Sequence, residues 1–187
     1  MGYLPNYAIA WKYIKSDFVR YGYSLDSKKI VLNALFALNH CFTYSFWFRL
    51  AKVKTGLLYP LAKIMHRRLS RKYGIQIPVN TEIGFGLYIG HGVGLIINPT
   101  AKIGNNVNLS QFTTIGAHGK AANIGDNVYI GPSVCIVNEV NIGNNSTIGA
   151  GAVVVKDVPD FATAAGVPAK IINYNSTGEL VNNRFKL

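Results

Sequence analysis

Acidic residues and cysteines are scarce in this chain. Its 187 residues include 8 Asp and Glu against 19 Lys and Arg, and 2 cysteines, Cys41 and Cys135. Two cysteines cannot form the disulfide framework of a small secreted domain, and the N-terminus lacks the basic, apolar and small-residue order of a signal peptide. We therefore expect a cytoplasmic protein. Hydrophobic residues make up 49% of the chain, which excludes intrinsic disorder.

The excess positive charge lies entirely in the first part of the chain. Residues 1–75 contain 13 Lys and Arg but only two acids, Asp17 and Asp26, whereas residues 76–187 contain six basic and six acidic residues. The first part also carries 15 of the 22 aromatic residues. Apolar residues recur there at spacings of three and four, which predicts helices, with Ser16 or Asp26 as N-caps. We expect a basic helical bundle that packs on the rest of the chain.

One stretch of this segment is long and uncharged. Residues 30–48 contain no charged side chain, and 19 residues are enough to cross a bilayer as a helix. Polar residues interrupt the stretch, among them Asn33, Asn39 and His40, and unpaired polar groups are costly in lipid. A buried or interfacial helix is therefore the better prediction.

From Ile77 onward the sequence repeats every six residues. Eleven of the thirteen aliphatic residues that open the hexads are Ile, and Gly follows the opener in eight of them. A period of six fits neither a helix nor a single strand, but it is typical of a parallel β-helix with three short strands per coil. The openers are Ile77, Ile83, Ile89, Ile97, Ile103, Leu109, Ile115, Ile124, Ile130, Ile136, Ile142, Ile148 and Val154.

The hexads also predict the details of the coil. Residues 77–170 provide roughly five coils. Asn105-Asn106 and Asn144-Asn145 suit the corners, because Asn tolerates positive φ. The register slips by two residues between Ile89 and Ile97 and by three between Ile115 and Ile124. We expect loops near Leu95 and over residues 117–123, where functional residues are often found.

Three motifs bear a family resemblance: the hexads, the run Ile148-Gly149-Ala150-Gly151-Ala152-Val153-Val154, and the closing Ala165-Gly166-Val167-Pro168-Ala169-Lys170. Together they resemble the left-handed β-helix hexapeptide acyltransferases, nearest to the serine acetyltransferase branch and its relatives from surface-polysaccharide loci. The resemblance implies a left-handed parallel β-helix over residues 76–171, after a helical segment (1–75) and before a polar tail (172–187). It also implies a homotrimer that binds acetyl-CoA between neighbouring prisms. A dimer of trimers, joined by the N-terminal segments, is the alternative assembly.

Two histidines fall in the predicted β-helix. Acetyl transfer to a hydroxyl needs a group that takes up a proton and then returns it, and a neutral imidazole does both near pH 7. His91, within Gly90-His91-Gly92, matches the catalytic histidine of the family, so the resemblance implies that it is the general base. His118 lies in the second loop, where a contact with the acceptor or the thioester is the alternative to a plain polar loop residue.

Departures from the serine acetyltransferase pattern suggest a different acceptor. That branch has an aspartate fifteen residues before the catalytic histidine and another immediately before it, where this chain has Gln76 and Gly90. Gln can orient the imidazole without supplying charge, and Glu82 or Glu139 could provide a carboxylate from a neighbouring coil or subunit. Because serine is a zwitterion that loses its expected contacts, we expect a sugar or glycan precursor as acceptor, in surface polysaccharide synthesis. Serine acetylation for cysteine synthesis is the alternative.

The resemblance also implies contacts with acetyl-CoA. Lys156 and Lys170 fall in the stretches that lie near the nucleotide, where a cation would meet phosphate. Ala117, Gly131 and Ala150 match positions at which the backbone meets the pantetheine arm.

Other functions are less well supported. The glycines near residue 86 lack the spacing and surroundings of a dinucleotide loop, and two histidines are too few for a three-histidine zinc site. We therefore expect no metal. A non-catalytic module that binds a membrane surface or an acidic partner through residues 1–75 is a further alternative, because clustered Lys and Arg attract anionic lipid. It would place the protein at the inner face of the membrane. No nucleic-acid reader motif accompanies the charge, so we expect no nucleic-acid partner.

Overall fold

The computed structural model describes residues 2–186, and it contains four helices followed by short strands. The helices are α1 (Tyr7–Val19), α2 (Ser27–Phe36), α3 (His40–Ala51) and α4 (Tyr59–Tyr73). The strands are β1 (Glu82–Ile83), β2 (Tyr88–Ile89), β3 (Ile96–Ile97), β4 (Lys102–Ile103), β5 (Asn108–Leu109), β6 (Thr114–Gly116), β7 (Asn123–Ile124), β8 (Tyr129–Ile130), β9 (Cys135–Val137), β10 (Asn141–Ile142), β11 (Thr147–Ile148), β12 (Val153–Val154), β13 (Thr163–Ala165) and β14 (Lys170–Asn173).

Short polar side chains begin three of the helices. Asn6, Asp26 and Asn39 precede α1, α2 and α3, and each side chain accepts a hydrogen bond from a backbone N–H of the first turn. Such bonds satisfy donors that have no partner within the helix. The prediction of Asp26 as an N-cap is confirmed. That of Ser16 is wrong, because this residue lies inside α1, where its hydroxyl donates to Tyr13 O at 2.7 Å.

The uncharged stretch 30–48 forms parts of two helices, not the single helix that was predicted. The chain leaves α2 at Ala37, whose φ of 52° is left-handed and whose N–H donates to Asn33 O, and it restarts as α3 after Asn39. Residues 41–51 of α3 are all buried. No helix within residues 2–186 is long and apolar enough to cross a membrane.

The strands wind into a parallel β-helix with three faces. We name these sheet A (β1, β4, β7, β10), sheet B (β2, β5, β8, β11, β13, β14) and sheet C (β3, β6, β9, β12). Successive strands pass from A to B to C, so one coil comprises three strands. Strands β1 to β12 make four complete coils, rather than the five predicted. The fifth stays incomplete because β14 turns back and pairs with β13 in the antiparallel sense.

The hexad openers form the core of this prism. All thirteen are buried, with at most 6% of each side chain exposed. Openers of successive coils stand in register, for example Ile83 beside Ile103 and Ile89 beside Leu109. Burial of a large aliphatic side chain contributes about 1.5–3 kcal/mol, so this column explains why a six-residue repeat specifies the fold.

The corners follow the sequence prediction. Asn106 and Asn145 have φ of 54° and 56°, between sheets A and B. At the same edge the coils approach so closely that a Cβ on Gly104 would lie 2.6 Å from Gly125 O, which only glycine avoids.

Both predicted loops leave the prism at corners. The first spans residues 90–94, between sheets B and C, and ends before Leu95, which is fully buried instead of lying in the loop. The second spans residues 117–122, between sheets C and A.

A buried polar network joins the helices to the first coil. The Arg49 guanidinium donates to both carboxylate oxygens of Asp17, at 2.8 and 3.1 Å, and to the carbonyl oxygens of Ile83 and Gly84 at 2.9 and 2.7 Å. Asp17 also accepts from Leu87 N at 2.8 Å. Both charged side chains are fully buried. The helical segment is therefore fixed on the prism, as predicted.

The polar tail folds back over the prism. Beyond β14, Asn106 and Phe185 exchange two hydrogen bonds of 3.0 and 2.8 Å, and Leu180 O accepts from the side chain of Asn108 at 3.2 Å. The tail therefore forms a wall beside sheet B.

Candidate active site

His91 lies on an exposed corner between sheets B and C. It directly follows β2 and Gly90, and its φ of 54° places it in the left-handed region, which is uncommon for a residue with a side chain. A Cβ on Gly92 would lie 3.0 Å from the sulfur of Cys41 and 3.2 Å from Ile75. The backbone of the loop is thus packed against the helical segment, while the imidazole is exposed.

A polar cavity of about 510 Å³ lies beside this imidazole. The prism, the helical segment and the tail each contribute to its walls. Among the described residues, Arg20 supplies the one permanent charge, and no carboxylate lines the cavity. Its lining comprises Arg20, Tyr21, Asn39, Tyr88, Gly90, His91, Asn108, Ser110, Tyr129, Leu180, Asn182 and Asn183.

Arg20 lines the cavity, held by two backbone carbonyls and one side chain. Its guanidinium donates to Gly86 O at 2.7 Å, to Asn108 Oδ1 at 2.5 Å and to Asn182 O at 3.0 Å. Burial lowers the pKa of Arg20 to about 10, with the negative charge of Asp17 acting in the opposite direction. The group therefore keeps its positive charge near pH 7.

Gln76 lines a different cavity from His91. Its backbone lies beside β3, where Gln76 N donates to Leu95 O at 2.7 Å and Gln76 O accepts from Ile97 N at 2.9 Å. It shares a cavity of about 580 Å³ with Ala117. Within one chain, the structure therefore brings Gln76 together with Ala117 and not with His91.

The two candidate glutamates also lie away from the polar cavity. Glu82 lies on β1, directly opposite Lys102 on β4, and lines a cavity on sheet A. Glu139 lies at the corner between sheets C and A, 3.6 Å from the ammonium group of Lys120. His118 is exposed in the second loop, at the same corner. None of the three lines the cavity beside His91.

The candidate contacts for acetyl-CoA form two groups. Gly131 and Ala150 are neighbours on the corner that carries His91, since a Cβ on Gly131 would lie 2.8 Å from Ala150 N. Lys156 and Lys170 line one cavity of about 320 Å³ at the end of the prism. A backbone without side chains suits a thin pantetheine arm, and paired ammonium groups suit phosphates. These residues therefore fit the chemistry of coenzyme A.

Sequence reasoning missed most of the polar cavity. Tyr88, Asn108 and Tyr129 stand side by side on sheet B, and each precedes a hexad opener. Their shared position in the repeat was a signal that could have placed them on one face. Arg20 offered no such signal, because its partner Asn108 is 88 residues away along the chain.

No group of three or more His, Cys, Asp or Glu side chains that could hold a metal ion occurs in the described part of the chain.

Comparisons with known proteins agree with this architecture. Residues 121–156 match the family described as bacterial transferase hexapeptide (six repeats). The chain is 37% identical over 123 residues to a serine acetyltransferase of Bacillus subtilis strain 168, covering 63% of this chain and 56% of the relative. It is 42% identical over 118 residues to serine acetyltransferase 5 of Arabidopsis thaliana, covering 60% and 38%.

Solved structures give a longer match. Soybean serine acetyltransferase complexed with serine shares 30% identity and a TM-score of 0.70, covering 87% of this chain and 69% of the soybean chain. A serine acetyltransferase from Neisseria gonorrhoeae in complex with serine shares 30% identity and a TM-score of 0.71, covering 87% and 69%. The chain spans 30–36% of three plant relatives and 55–56% of three bacterial ones. The prism, its repeats and the two solved structures, which match at 30% identity over 69% of their own chains, show the family. The chain belongs to the left-handed β-helix hexapeptide acyltransferase family, in its serine acetyltransferase-like branch.

Proposed function

We propose that this protein is an acetyl-CoA-dependent O-acetyltransferase and that L-serine is its acceptor. The observation that carries the proposal is the exposed imidazole of His91, on a glycine-flanked corner of a hexapeptide prism, beside a polar cavity of about 510 Å³.

His91 performs the proton transfers of the proposed reaction. The neutral imidazole takes the proton of the acceptor hydroxyl while the hydroxyl oxygen attacks the carbonyl carbon of the thioester. The tetrahedral intermediate then expels the sulfur, the C–S bond breaks, and the imidazolium returns its proton to the departing thiolate. The products are the acetyl ester and free coenzyme A. General acid–base catalysis of this kind contributes about 10²- to 10⁴-fold.

Acetyl-CoA supplies the activated acyl group. Lys156 and Lys170 are the groups on this chain that would hold its phosphates, and Ala117, Gly131 and Ala150 would border its pantetheine arm. These assignments rest on the resemblance, on the neighbouring positions of Gly131 and Ala150, and on the cavity that Lys156 and Lys170 share.

The two groups of candidate contacts favour a site shared between chains. His91, Gly131 and Ala150 lie at the corner where sheet C begins, whereas Ala117 and Lys156 lie at the corner where it ends. The strands of sheet C separate them within one prism, so a single site that contains both groups needs a second copy. Because the family resemblance implies a trimer, we propose that this second copy belongs to a homotrimer.

The relatives favour serine over the sugar acceptor that the sequence led us to expect. Every relative compared above is named a serine acetyltransferase, and two of the solved structures contain serine. Arg20, in the lining of the cavity, offers a cation for the carboxylate of serine.

A sugar hydroxyl is the second candidate, on one specific observation. The described residues that line the cavity present hydroxyl and amide groups. They include no carboxylate that could meet the ammonium group of serine. Such a lining suits an uncharged, polyhydroxylated acceptor.

Release of coenzyme A from acetyl-CoA, measured with one acceptor at a time, tests both candidates. L-serine should support turnover that saturates, and neutral sugars offered in its place should not. Turnover with a sugar but not with serine would make the second candidate correct. No turnover above the buffer rate with any hydroxyl acceptor would overturn the proposed activity.

A further inference from the structure

The outer surfaces of α2 and α4 carry exposed apolar side chains. Leu35 and Phe36 at the end of α2 are 62% and 70% exposed, and Leu38, just beyond it, is 72% exposed. Leu57, just before α4, is 94% exposed. Val31 and Leu32 are also exposed on α2, and Leu58, Leu61 and Ile64 are exposed at the start of α4. Large apolar side chains exposed in such numbers mark an interaction site.

Helix α2 is apolar on two opposite sides. Ile30, Asn33 and Ala34 are buried against the protein, while the remaining side presents Leu35 and Phe36 with their apolar neighbours. Lys28 and Lys29 keep the start of α2 polar. The exposed apolar side chains at its other end mark an interaction site.

Positive charge surrounds these apolar side chains. Residues 27–81 contain ten Lys and Arg and no Asp or Glu. Arg49 and Lys52 are buried. The other eight are exposed, and these are Lys28, Lys29, Lys54, Lys63, Arg67, Arg68, Arg71 and Lys72.

The packing of the helices brings the charge and the apolar side chains together. Helix α3 lies at the centre and packs against α1, α2 and α4. The rings of His40 and Tyr73 lie 4.9 Å apart, which places the end of α4 beside the start of α3. Because Leu38 is two residues before His40, the basic end of α4 lies near the apolar end of α2.

We infer that this apolar and basic surface of α2 and α4 docks on an anionic lipid membrane. A lipid interface receives leucine and phenylalanine at the boundary of the acyl chains, while lysine and arginine reach the headgroups. A second copy of the chain would present the same unbalanced positive charge, so pairing through this surface would bring like charges together. An acidic macromolecule would match the charge but would leave the exposed leucines and Phe36 without a partner.

Flotation of the full chain with lipid vesicles tests this inference. The protein should float with vesicles of phosphatidylcholine mixed with phosphatidylglycerol, and not with phosphatidylcholine alone. Because surface charges are screened beyond about 3 Å at about 1 M salt, flotation should weaken as salt is added. No flotation with anionic vesicles at low salt would overturn the inference.

Two sets of variants separate charge from apolar contact. Lys28→Gln with Lys29→Gln and Arg68→Gln should weaken binding about 100-fold, at about fivefold for each cation near the surface. Its control, Lys102→Gln with Lys120→Gln and Lys186→Gln, removes the same charge from the prism and the tail and should bind as the unchanged protein does. Equal weakening in both triple variants would show non-specific attraction and contradict the inference.

Leu35→Ser with Phe36→Ser should weaken binding by on the order of tenfold for each side chain, because each loses the transfer of apolar area out of water. Ile172→Ser is the control, since Ile172 is 64% exposed on β14 and lies on the prism. If the Leu35 and Phe36 variant kept full affinity, and polyglutamate competed as well as lipid, the partner would be an acidic macromolecule and not a membrane. Vesicle binding needs no acetyl-CoA, so this outcome is independent of the proposed activity.

Discussion

Three glycines and one close contact determine where the imidazole of His91 lies. Gly90 and Gly92 flank it, and Gly94 has a φ of 64°. The space beside the α-carbon of Gly92 is occupied by the sulfur of Cys41 and by Ile75. The loop backbone therefore rests on the helical segment, and the histidine is the side chain left at the exposed corner.

Gly92→Ala tests this arrangement. The new Cβ would lie 3.0 Å from Cys41 Sγ and 3.3 Å from Ile89, so either these side chains or the loop must move by a few tenths of an ångström. We expect the free energy of unfolding to fall by about 1–3 kcal/mol, as for other overpacked sites, and kcat to fall because His91 moves. Gly119→Ala is the matched control for stability, because nothing lies within 4 Å of its Cβ position. Equal melting curves for the two variants would contradict the packing argument.

At this scale the sequence identified some site residues and could not identify others. His91 lies in a motif, Gly-His-Gly, whose residue types indicate an exposed corner with an imidazole. Arg20 and Tyr21 lie on or next to α1 and reach the cavity only through tertiary contacts, so no local pattern predicts them. The separation of Gln76 from His91 likewise depends on which sheet each residue meets.

Between elements, the buried pair of Asp17 and Arg49 connects α1, α3 and the first coil. Ser45 on α3 donates a short hydrogen bond to Asp17, and the Arg49 guanidinium lies 4.8 Å from the ring centre of Tyr13. The hydrogen bonds that Arg49 donates to the first coil are both accepted by backbone carbonyl oxygens. The network therefore aligns the helical segment with the prism.

Asp17→Asn should be strongly destabilising. It leaves the Arg49 charge buried without its counter-charge, which typically costs about 3–5 kcal/mol. Asp126→Asn is the control, since Asp126 is only partly buried at a corner of the prism. Chemical denaturation measures both. A loss below about 1 kcal/mol for the Asp17 variant, as at exposed ion pairs, would show that the pair does not hold the two parts together.

The contact between α4 and α3 predicts a dependence of stability on pH. The ring of His66 lies 2.9 Å from the hydroxyl of Tyr44, and burial lowers the pKa of His66 to about 4. An unfolded histidine has a pKa of about 6.5, so between these values the unfolded chain binds a proton that the folded chain does not. The free energy of unfolding should therefore fall as the pH drops from about 6.5 to about 4, by up to about 3 kcal/mol from this group.

Denaturation curves across this pH range check the assignment. His66→Gln should remove most of that pH dependence, because glutamine does not titrate there. His118→Gln, which replaces an exposed histidine, should keep it. A slope that is the same in both variants would assign the dependence to other groups.

The spacing of apolar residues predicted which elements form better than it predicted where each element ends. Six-residue spacing places every opener in the core because each coil repeats the same contacts. The break at Ala37 within the apolar stretch was missed, because no glycine or proline marks it and a left-handed alanine carries no sequence signal. The number of coils was overestimated because the residues after the last opener, Val154, form only part of a coil before β14 reverses.

The whole molecule presents His91, Gly131 and Ala150 on one edge of sheet C, and Ala117 and Lys156 on the other. Since sheet C separates them, the proposed activity depends on assembly. Light scattering on the purified full chain should give about three times the chain mass of 20.4 kDa. A chain that stays monomeric at working concentration while it turns over acetyl-CoA would contradict a shared site.

Membrane docking and catalysis are compatible on this geometry. The apolar and basic surface belongs to α2 and α4, whereas His91 and its cavity lie between the prism, α1 and the tail. The two regions adjoin where Leu38 of the former precedes Asn39 of the latter, but no residue belongs to both.

The proposed reaction depends on proton transfer by His91. The most direct test is the steady-state release of coenzyme A from acetyl-CoA with saturating L-serine, compared between the unchanged protein and His91→Asn at equal folded concentration. We expect a loss of about 10²- to 10⁴-fold in kcat for the variant. Equal rates in the two proteins would contradict it.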